Sequence, residues 1–270
     1  NREDFEAKWN DIKIVIEYGM LSEDKFFEKA DKFALYPTVD GAYYTFEELQ
    51  EKLKPNQTDK DDKLVILYAS NKEEQHSYIE AAKAKGFEVL LLDSPIVSHL
   101  MQKLETSKEK ISFARVDADH LDNLIKKEDT QISKLSDEEK ETLKTDIETA
   151  INNKSYTIQL EAMDSSSSPF IITEPEFMRR MKEMQQTGGG GMFGMGNMPE
   201  MYNLVVNTNH ELVSEILNTK TAKKKERLIN QSLDLARLSK GLLKGEELTK
   251  FIKRSYEMVK KSFFTIIIRS

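Results

Sequence analysis

Three short apolar runs alternate with helical stretches in the first half of the chain. They are Leu64–Ala69, Phe87–Leu92 and Ile111–Val116. Each run is nearly continuous, as in strands that are buried on both faces, and the stretches between them have helical spacing. Gly86 and Pro95 stand where a helix end and a helix start are expected. This β-α-β-α-β order predicts a small three-stranded parallel sheet.

Helices are expected before this unit. Phe5, Trp9, Ile12 and Ile16 form one apolar stripe at helical steps. Thr45 and Glu48 have the spacing of a capping box, which predicts a helix from there to about Leu53. The polar segment that follows, residues 55–62, is predicted to be a loop.

The second half predicts a helix-rich α+β domain. Ser136 and Glu139 form another capping box, which opens a helix to about Ile151. Strands are predicted over 156–163, 169–173 and 202–207, with the first two paired. The last two helices are predicted over 222–239 and 246–262, and the ending 263–270 either continues the last helix or forms a strand. Because residues 117–135 lack periodicity, we place domains at 1–130 and 131–270. The fold class is α/β followed by α+β.

Composition excludes several classes of protein. The chain has no cysteine and no apolar run long enough to cross a membrane, so disulfides, thiol chemistry and a membrane span are excluded. It opens without an initiator methionine or signal peptide, which we interpret as a piece of a longer cytoplasmic protein. The net charge of −7 argues against a general nucleic-acid binder.

Catalytic and metal-binding patterns are absent from the sequence. The four histidines are more than twenty residues apart, so we expect no metal site. The glycines of 188–196 lack the strand and Lys-Ser/Thr of a phosphate loop, which favours a linker over a nucleotide cradle. The sequence therefore favours a protein that binds other proteins over an enzyme.

Methionines are concentrated around a short amphipathic helix that Pro175 opens. An exposed methionine stripe repacks around many partners because the side chain is unbranched and polarizable. The alternative is that the stripe belongs to the protein's own core. The apolar residues proposed for binding here are Phe177, Met178, Met181, Met184, Met192, Phe193 and Met195.

The last two helices carry the second candidate surface. Two amphipathic helices in a hairpin cover only part of their apolar faces, and docking with a second copy would complete a four-helix bundle. The alternative is that they pack on the strands of their own domain. The residues proposed for a homodimer interface are Leu228, Ile229, Leu235, Ala236, Leu248, Phe251, Ile252, Tyr256 and Val259.

The order of these pieces resembles the heat shock protein 90 chaperone family. The segments that carry the resemblance are LVILYASNKEEQHSYIEAAKAKGFEVLLLDSPIVSHLMQKLE (64–105), FMRRMKEMQ (177–185), LVVNTNHELV (204–213) and LINQSLDLARLSKGLLKGEELTKFIKRSYEMV (228–259). They are similar to the end of the middle domain and to the C-terminal dimerisation domain of the bacterial type. The sequence departs from the family at Val97-Ser98-His99, where an acidic pair is usual, and at Thr208, where proline is usual.

This resemblance implies a dimeric chaperone that takes part in the stress response and binds unfolded client proteins. The complete protein would hydrolyse ATP with Mg, but this piece would be catalytically silent and hold no cofactor. Trp9 is implied as a client contact, with a place in the core as its alternative. The rival function is a peptide-recognition module in which the methionine helix grips one defined partner helix.

Overall fold

The structure is a computed structural model that describes residues 1–126, 131–187 and 201–269, with side chains for 1–126, 131–183 and 201–260. Contacts divide the chain into two compact units. Unit 1 comprises Asn1–Thr130 and Thr173–Asn203, and unit 2 comprises Gln131–Ile172 and Leu204–Ser270. The expected domains 1–130 and 131–270 stay a prediction, and the grouping by contacts differs from them in assigning 173–203 to unit 1.

Unit 1 opens with helices and a small hairpin of strands. Its first elements are α1 (Arg2–Ser22), α2 (Asp24–Ala30), β1 (Tyr36–Pro37), β2 (Tyr43–Tyr44) and α3 (Phe46–Gln57). The Thr45–Glu48 capping box is present in both directions, as predicted. The helix it opens runs past Leu53 and through Pro55, so the predicted loop begins too early. Gln57 explains the extension, because its buried amide donates to Val65 O at 3.0 Å.

A parallel sheet forms the centre of unit 1 and confirms the expected α/β architecture. The elements in chain order are β3 (Leu64–Ala69), α4 (His76–Ala84), β4 (Val89–Leu91), α5 (Val97–Ser107), β5 (Ile111–Arg115) and α6 (Leu121–Leu124). The strand order is β4-β3-β5, and both pairings are parallel. All six residues of β3 are buried, which is why this run is continuously apolar. Helix α6 was not predicted.

The remaining elements lie mostly in unit 2. They are α7 (Asp137–Ile151), β6 (Tyr156–Glu161), β7 (Phe170–Thr173), α8 (Glu176–Thr187), β8 (Tyr202–Asn207), α9 (Glu211–Asn218), α10 (Ala222–Ser239) and α11 (Gly245–Arg269). The capping box that opens α7 is confirmed. Helix α8 is the exception in this series, since its residues belong to unit 1.

One sequence prediction for unit 2 is corrected by the structure. The strand order is β6-β8-β7, so β6 and β7 are not paired with each other; β8 lies between them and hydrogen-bonds to both. Local pattern cannot show this order, because a strand that comes later in the chain inserts between two earlier ones. Of the alternatives for the ending 263–270, the structure has the continued helix, whose backbone runs to Arg269.

Candidate functional site

Helix α8 covers an open strand edge in unit 1. Because β5 is the outer strand of the β4-β3-β5 sheet, the backbone groups on its free side need other partners. The N–H of Phe113 donates to Glu105 Oε1 at 2.6 Å, and the N–H of Arg115 donates to Glu176 Oε2 at 3.2 Å. Arg180 Nη2 donates to the carbonyl of Phe113 at 2.7 Å. Charged side chains of α5 and α8 therefore occupy the positions of a missing strand.

Glu176, the first residue of α8, is the centre of this network. Its Oε1 accepts from Tyr68 Oη at 2.9 Å, and from Arg179 Nη2 and Arg180 Nε at 2.6 Å each. Its Oε2 accepts from the Arg115 N–H. One carboxylate thus joins strand β3, strand β5 and two arginines of its own helix.

Two arginines of α8 complete the attachment. Arg180 forms a forked ion pair with Glu105, with Nη1–Oε2 at 2.7 Å and Nη2–Oε1 at 3.3 Å. Arg179 is 3% exposed and also donates to Tyr68 Oη and to Glu183 Oε1. Glu183 in turn accepts from Ser98 Oγ at 2.6 Å. The charged face of α8 is therefore the face that packs on β3, β5 and α5.

The electrostatics of the network follow from this burial. Burial on its own would raise the pKa of Glu176, but the charges of Arg179 and Arg180 outweigh it and hold that pKa below the ordinary value. Burial raises the pKa of the Tyr68 hydroxyl, and the charge of Glu176 adds to the effect. At neutral pH Glu176 is therefore an anion and Tyr68 a hydrogen-bond donor.

The apolar residues of α8 lie beside this buried charged face. Phe177 is 72% exposed, and Met178 and Met181 are half-buried. Met184 belongs to the helix, but its side chain lies outside the described residues, as do Met192, Phe193 and Met195. Among the side chains that the structure describes on α8, Phe177 offers the largest free apolar surface. Client binding by these residues stays a prediction.

Trp9 lies in the core of unit 1. Its side chain is 2% exposed, and its ring meets Phe5 edge-on with 5.6 Å between the centroids. The alternative that the sequence left open, a core residue, describes this position. In this arrangement Trp9 does not reach a client, because other side chains of unit 1 already cover its ring.

The proposed dimer residues of unit 2 divide into three groups by exposure. Ile229, Ala236 and Phe251 are buried within the unit itself, so these three serve its own core. Leu228 and Leu248 are half-buried. The exposed members are Leu235, Ile252, Tyr256 and Val259, with exposed fractions between 43% and 73%.

The exposed members form stripes on α10 and α11. On α11 the stripe has steps of four and three residues, and on α10 Leu235 is joined by Leu238, which is 43% exposed. Sequence reasoning missed Leu238, although its step of three from Leu235 is the signal for a shared face. Arg254 holds the two helices together by donating to Asp234 Oδ2 and Gln231 Oε1, at 2.5 and 2.6 Å.

Sequence reasoning also missed the anchoring role of Glu176, Tyr68 and Glu105. A glutamate at a helix start followed by arginines three and four residues later is a visible ion-pair pattern. The two partners from unit 1 are distant in sequence and left no local signal.

Within the described ranges, no three His, Asp or Glu side chains are grouped to hold a metal ion. No helix among the described residues has the length and apolarity needed to cross a membrane.

Comparison with known proteins gives one consistent family. The family model described as Hsp90 protein matches residues 1–266. The chain is 37% identical to the chaperone protein HtpG of Bacteroides thetaiotaomicron, over 96% of this chain and 48% of that protein. It is 34% identical to the HtpG of Porphyromonas gingivalis, with the same shares covered.

A more distant relative is the mitochondrial heat shock protein 90-6 of Arabidopsis thaliana. It is 23% identical over 80% of this chain and 27% of that protein. The chain thus spans about half the length of the bacterial relatives that it matches.

Proposed function

Because the chain belongs to the Hsp90 protein family, as a relative of the bacterial HtpG chaperones, we propose that it is the client-binding and dimerising part of such a chaperone. The proposal for the whole protein includes ATP hydrolysis with Mg. None of the residues described in this chain is assigned to that reaction. What this part contributes is apolar surface held in a fixed place.

The observation that carries the proposal is the way α8 is attached. The helix packs on β3, β5 and α5 through its arginines and Glu176. This packing leaves Phe177 exposed beside two half-buried methionines. A helix that packed through its apolar face would have little left to offer a partner. Fully burying a phenylalanine contributes about 1.5–3 kcal/mol, so contact with a client would be weak and tolerant of sequence.

Replacing Phe177 by serine is expected to weaken client binding and leave the fold intact, because the side chain is mostly exposed. We expect the concentration needed to suppress aggregation of an unfolded client protein to rise about fivefold or more. Light scattering of a heat-denatured client measures this directly.

A matched control for this test lies on the same helix. Lys182→Ser also changes an exposed residue of α8 but removes a charged side chain and no aromatic ring. Equal suppression by Phe177→Ser and the unchanged protein would contradict a client surface at this place. Binding of one defined peptide sequence, with no response to unfolded chains, would favour the peptide-recognition module.

Dimerisation is assigned to the exposed apolar stripes of α10 and α11 in unit 2. These stripes expose large apolar side chains to water, on helices whose other faces already pack within the unit. Their residues are Leu235, Leu238, Ile252, Tyr256 and Val259. A second copy presenting the same stripes would cover them in an isologous contact. Linking two copies would also raise the avidity for a client that reaches both.

The double substitution Ile252→Glu with Tyr256→Glu is expected to give monomers, because both charges would be buried unpaired in the contact. We expect the dimer dissociation constant to rise by about a hundredfold or more. Molar mass by light scattering over a wide range of protein concentration measures it. Lys250→Glu is the control, since it reverses a charge on α11 at an exposed position away from the stripe and costs only a surface ion pair with Glu246. An unchanged mass for the double variant would place the interface elsewhere.

A further inference from the structure

A pocket in unit 1 lies beside α1 and is separate from the α8 attachment. It contains about 460 Å³ of space including its mouth, and it is wide enough for about one water-sized group. That is room for one small polar head group. Most of the lining is apolar and comes from the core, as in Trp9, Met20, Leu92, Leu100, Met101 and Leu104.

Two polar atoms in this lining have no hydrogen-bond partner among the residues that the structure describes. They are Glu17 Oε2 and Tyr36 Oη, on side chains that belong to residues 8% and 3% exposed. A buried polar atom without a partner costs about 1–3 kcal/mol. A ligand that donates hydrogen bonds to both atoms would recover that free energy.

The charges of the lining favour a cationic donor. Glu17 and Asp93 contribute two carboxylates against one ammonium, that of Lys13. Lys13 Nζ donates to Asp93 Oδ1 at 2.5 Å, and its charge and the Ser94 hydroxyl partly compensate Glu17, but Glu17 Oε2 itself has no donor among the described residues. Burial raises the pKa of Glu17, the sign of a carboxylate that lacks full compensation for its lost hydration.

We propose that this pocket binds the primary ammonium group of a small aliphatic amine, with its N–H groups donating to Glu17 Oε2 and Tyr36 Oη. An ammonium has three donors in the volume of about one water molecule, which matches the space and the two acceptors. The short carbon body lies against the apolar lining towards the mouth. This inference is independent of the proposed chaperone function.

The test uses the single tryptophan of the chain, Trp9, which lines the pocket and reports on it by fluorescence. Ethylamine is titrated at constant pH and ionic strength, and ethanol serves as the uncharged ligand of the same length. The amine is expected to change Trp9 emission saturably, at concentrations about tenfold lower than ethanol requires, because its hydrogen bonds are charge-assisted.

Two substitutions test the acceptors one at a time. Glu17→Gln is expected to weaken ethylamine binding about tenfold or more and leave the response to ethanol unchanged. Tyr36→Phe is expected to weaken it several-fold and keeps the test decisive if Glu17→Gln fails to fold, which circular dichroism checks. Glu28→Gln, at an exposed position of α2, is the control.

The outcomes separate the alternatives. No saturable change with ethylamine, or equal responses to ethylamine and ethanol, would mean that the site holds an ordered water only and would overturn the proposal. Unchanged amine affinity in both Glu17→Gln and Tyr36→Phe would overturn it too. Nα-acetyl-lysine amide, used as a second ligand, shows whether a lysine side chain reaches the same site or only a free amine does.

Discussion

Replacing Glu176 by alanine is expected to release α8 from β3, β5 and α5, on which it packs. The substitution removes the acceptor of four donors, namely the Tyr68 hydroxyl, Arg179, Arg180 and the N–H of Arg115. Breaking a fully buried ion pair costs about 3–5 kcal/mol, and we expect less here because Arg179 keeps Glu183 and Arg180 keeps Glu105 as partners. Hydrogen exchange is expected to show that the α8 amides lose protection, with the strands β3 and β4 still protected.

Lys182→Ala is the control for this change, because it alters an exposed residue of the same helix. Acid should reproduce the effect in the unchanged protein. The folded pKa of Glu176 is held below its ordinary value of 4.5, so this carboxylate stabilises the fold above that value. The contribution is lost as the pH falls through the lowered pKa. Full protection of α8 in Glu176→Ala would contradict an anchoring role for the network.

Replacing Asn207 by alanine is expected to destabilise unit 2 by about 3 kcal/mol. Its side chain is fully buried and accepts from the N–H groups of Met163 and Asn209, at 3.3 and 3.1 Å. It also donates to the carbonyl of Asp164 at 2.8 Å. The truncation removes the side-chain acceptor of two N–H groups on buried residues, Met163 and Asn209, while the Asp164 carbonyl still accepts from the Ser167 N–H at 3.0 Å. Chemical denaturation followed by circular dichroism measures the loss.

Asn218→Ala is the matched control for Asn207. Its side chain also donates to a backbone carbonyl, that of Ser214 at 2.9 Å, but at an exposed position of α9. We expect this change to stay within about 0.5 kcal/mol. A similar small effect for Asn207→Ala would show that water replaces the lost bonds, and that the segment around 163 is not held by this residue.

Asn207 also shows the difference between recognising a family segment and knowing the structural role of its residues. The segment 204–213 was identified from its asparagine and histidine, without a reason for either residue. In the structure Asn207 joins the end of β8 to the segment around Met163, and His210 caps α9 by accepting from the Leu212 N–H at 3.0 Å. The cap is a local contact, whereas the Asn207 bond joins elements 44 residues apart, whose proximity is not encoded in any local pattern.

The sequence by itself determined the local elements and the family. Continuous apolar runs predicted the parallel β3, β4 and β5, and two capping boxes placed the starts of α3 and α7, because these signals depend on neighbours within a few residues. Helix α10 was predicted to the residue for the same reason.

Only the tertiary structure decided which charged residues are buried, which strands are neighbours and which apolar faces remain free. Periodicity predicted a charged face on α8, and a charged face by itself indicates exposure to solvent. The partners that bury it are Tyr68, Glu105 and the free edge of β5. In the bonds that join them to Glu176 and Arg180, they lie 61 to 108 residues away in sequence. Burial of charge depends on such distant partners, since desolvation is offset only where opposite charges and backbone groups converge. The same dependence on distant contacts put β8 between β6 and β7 and covered Trp9.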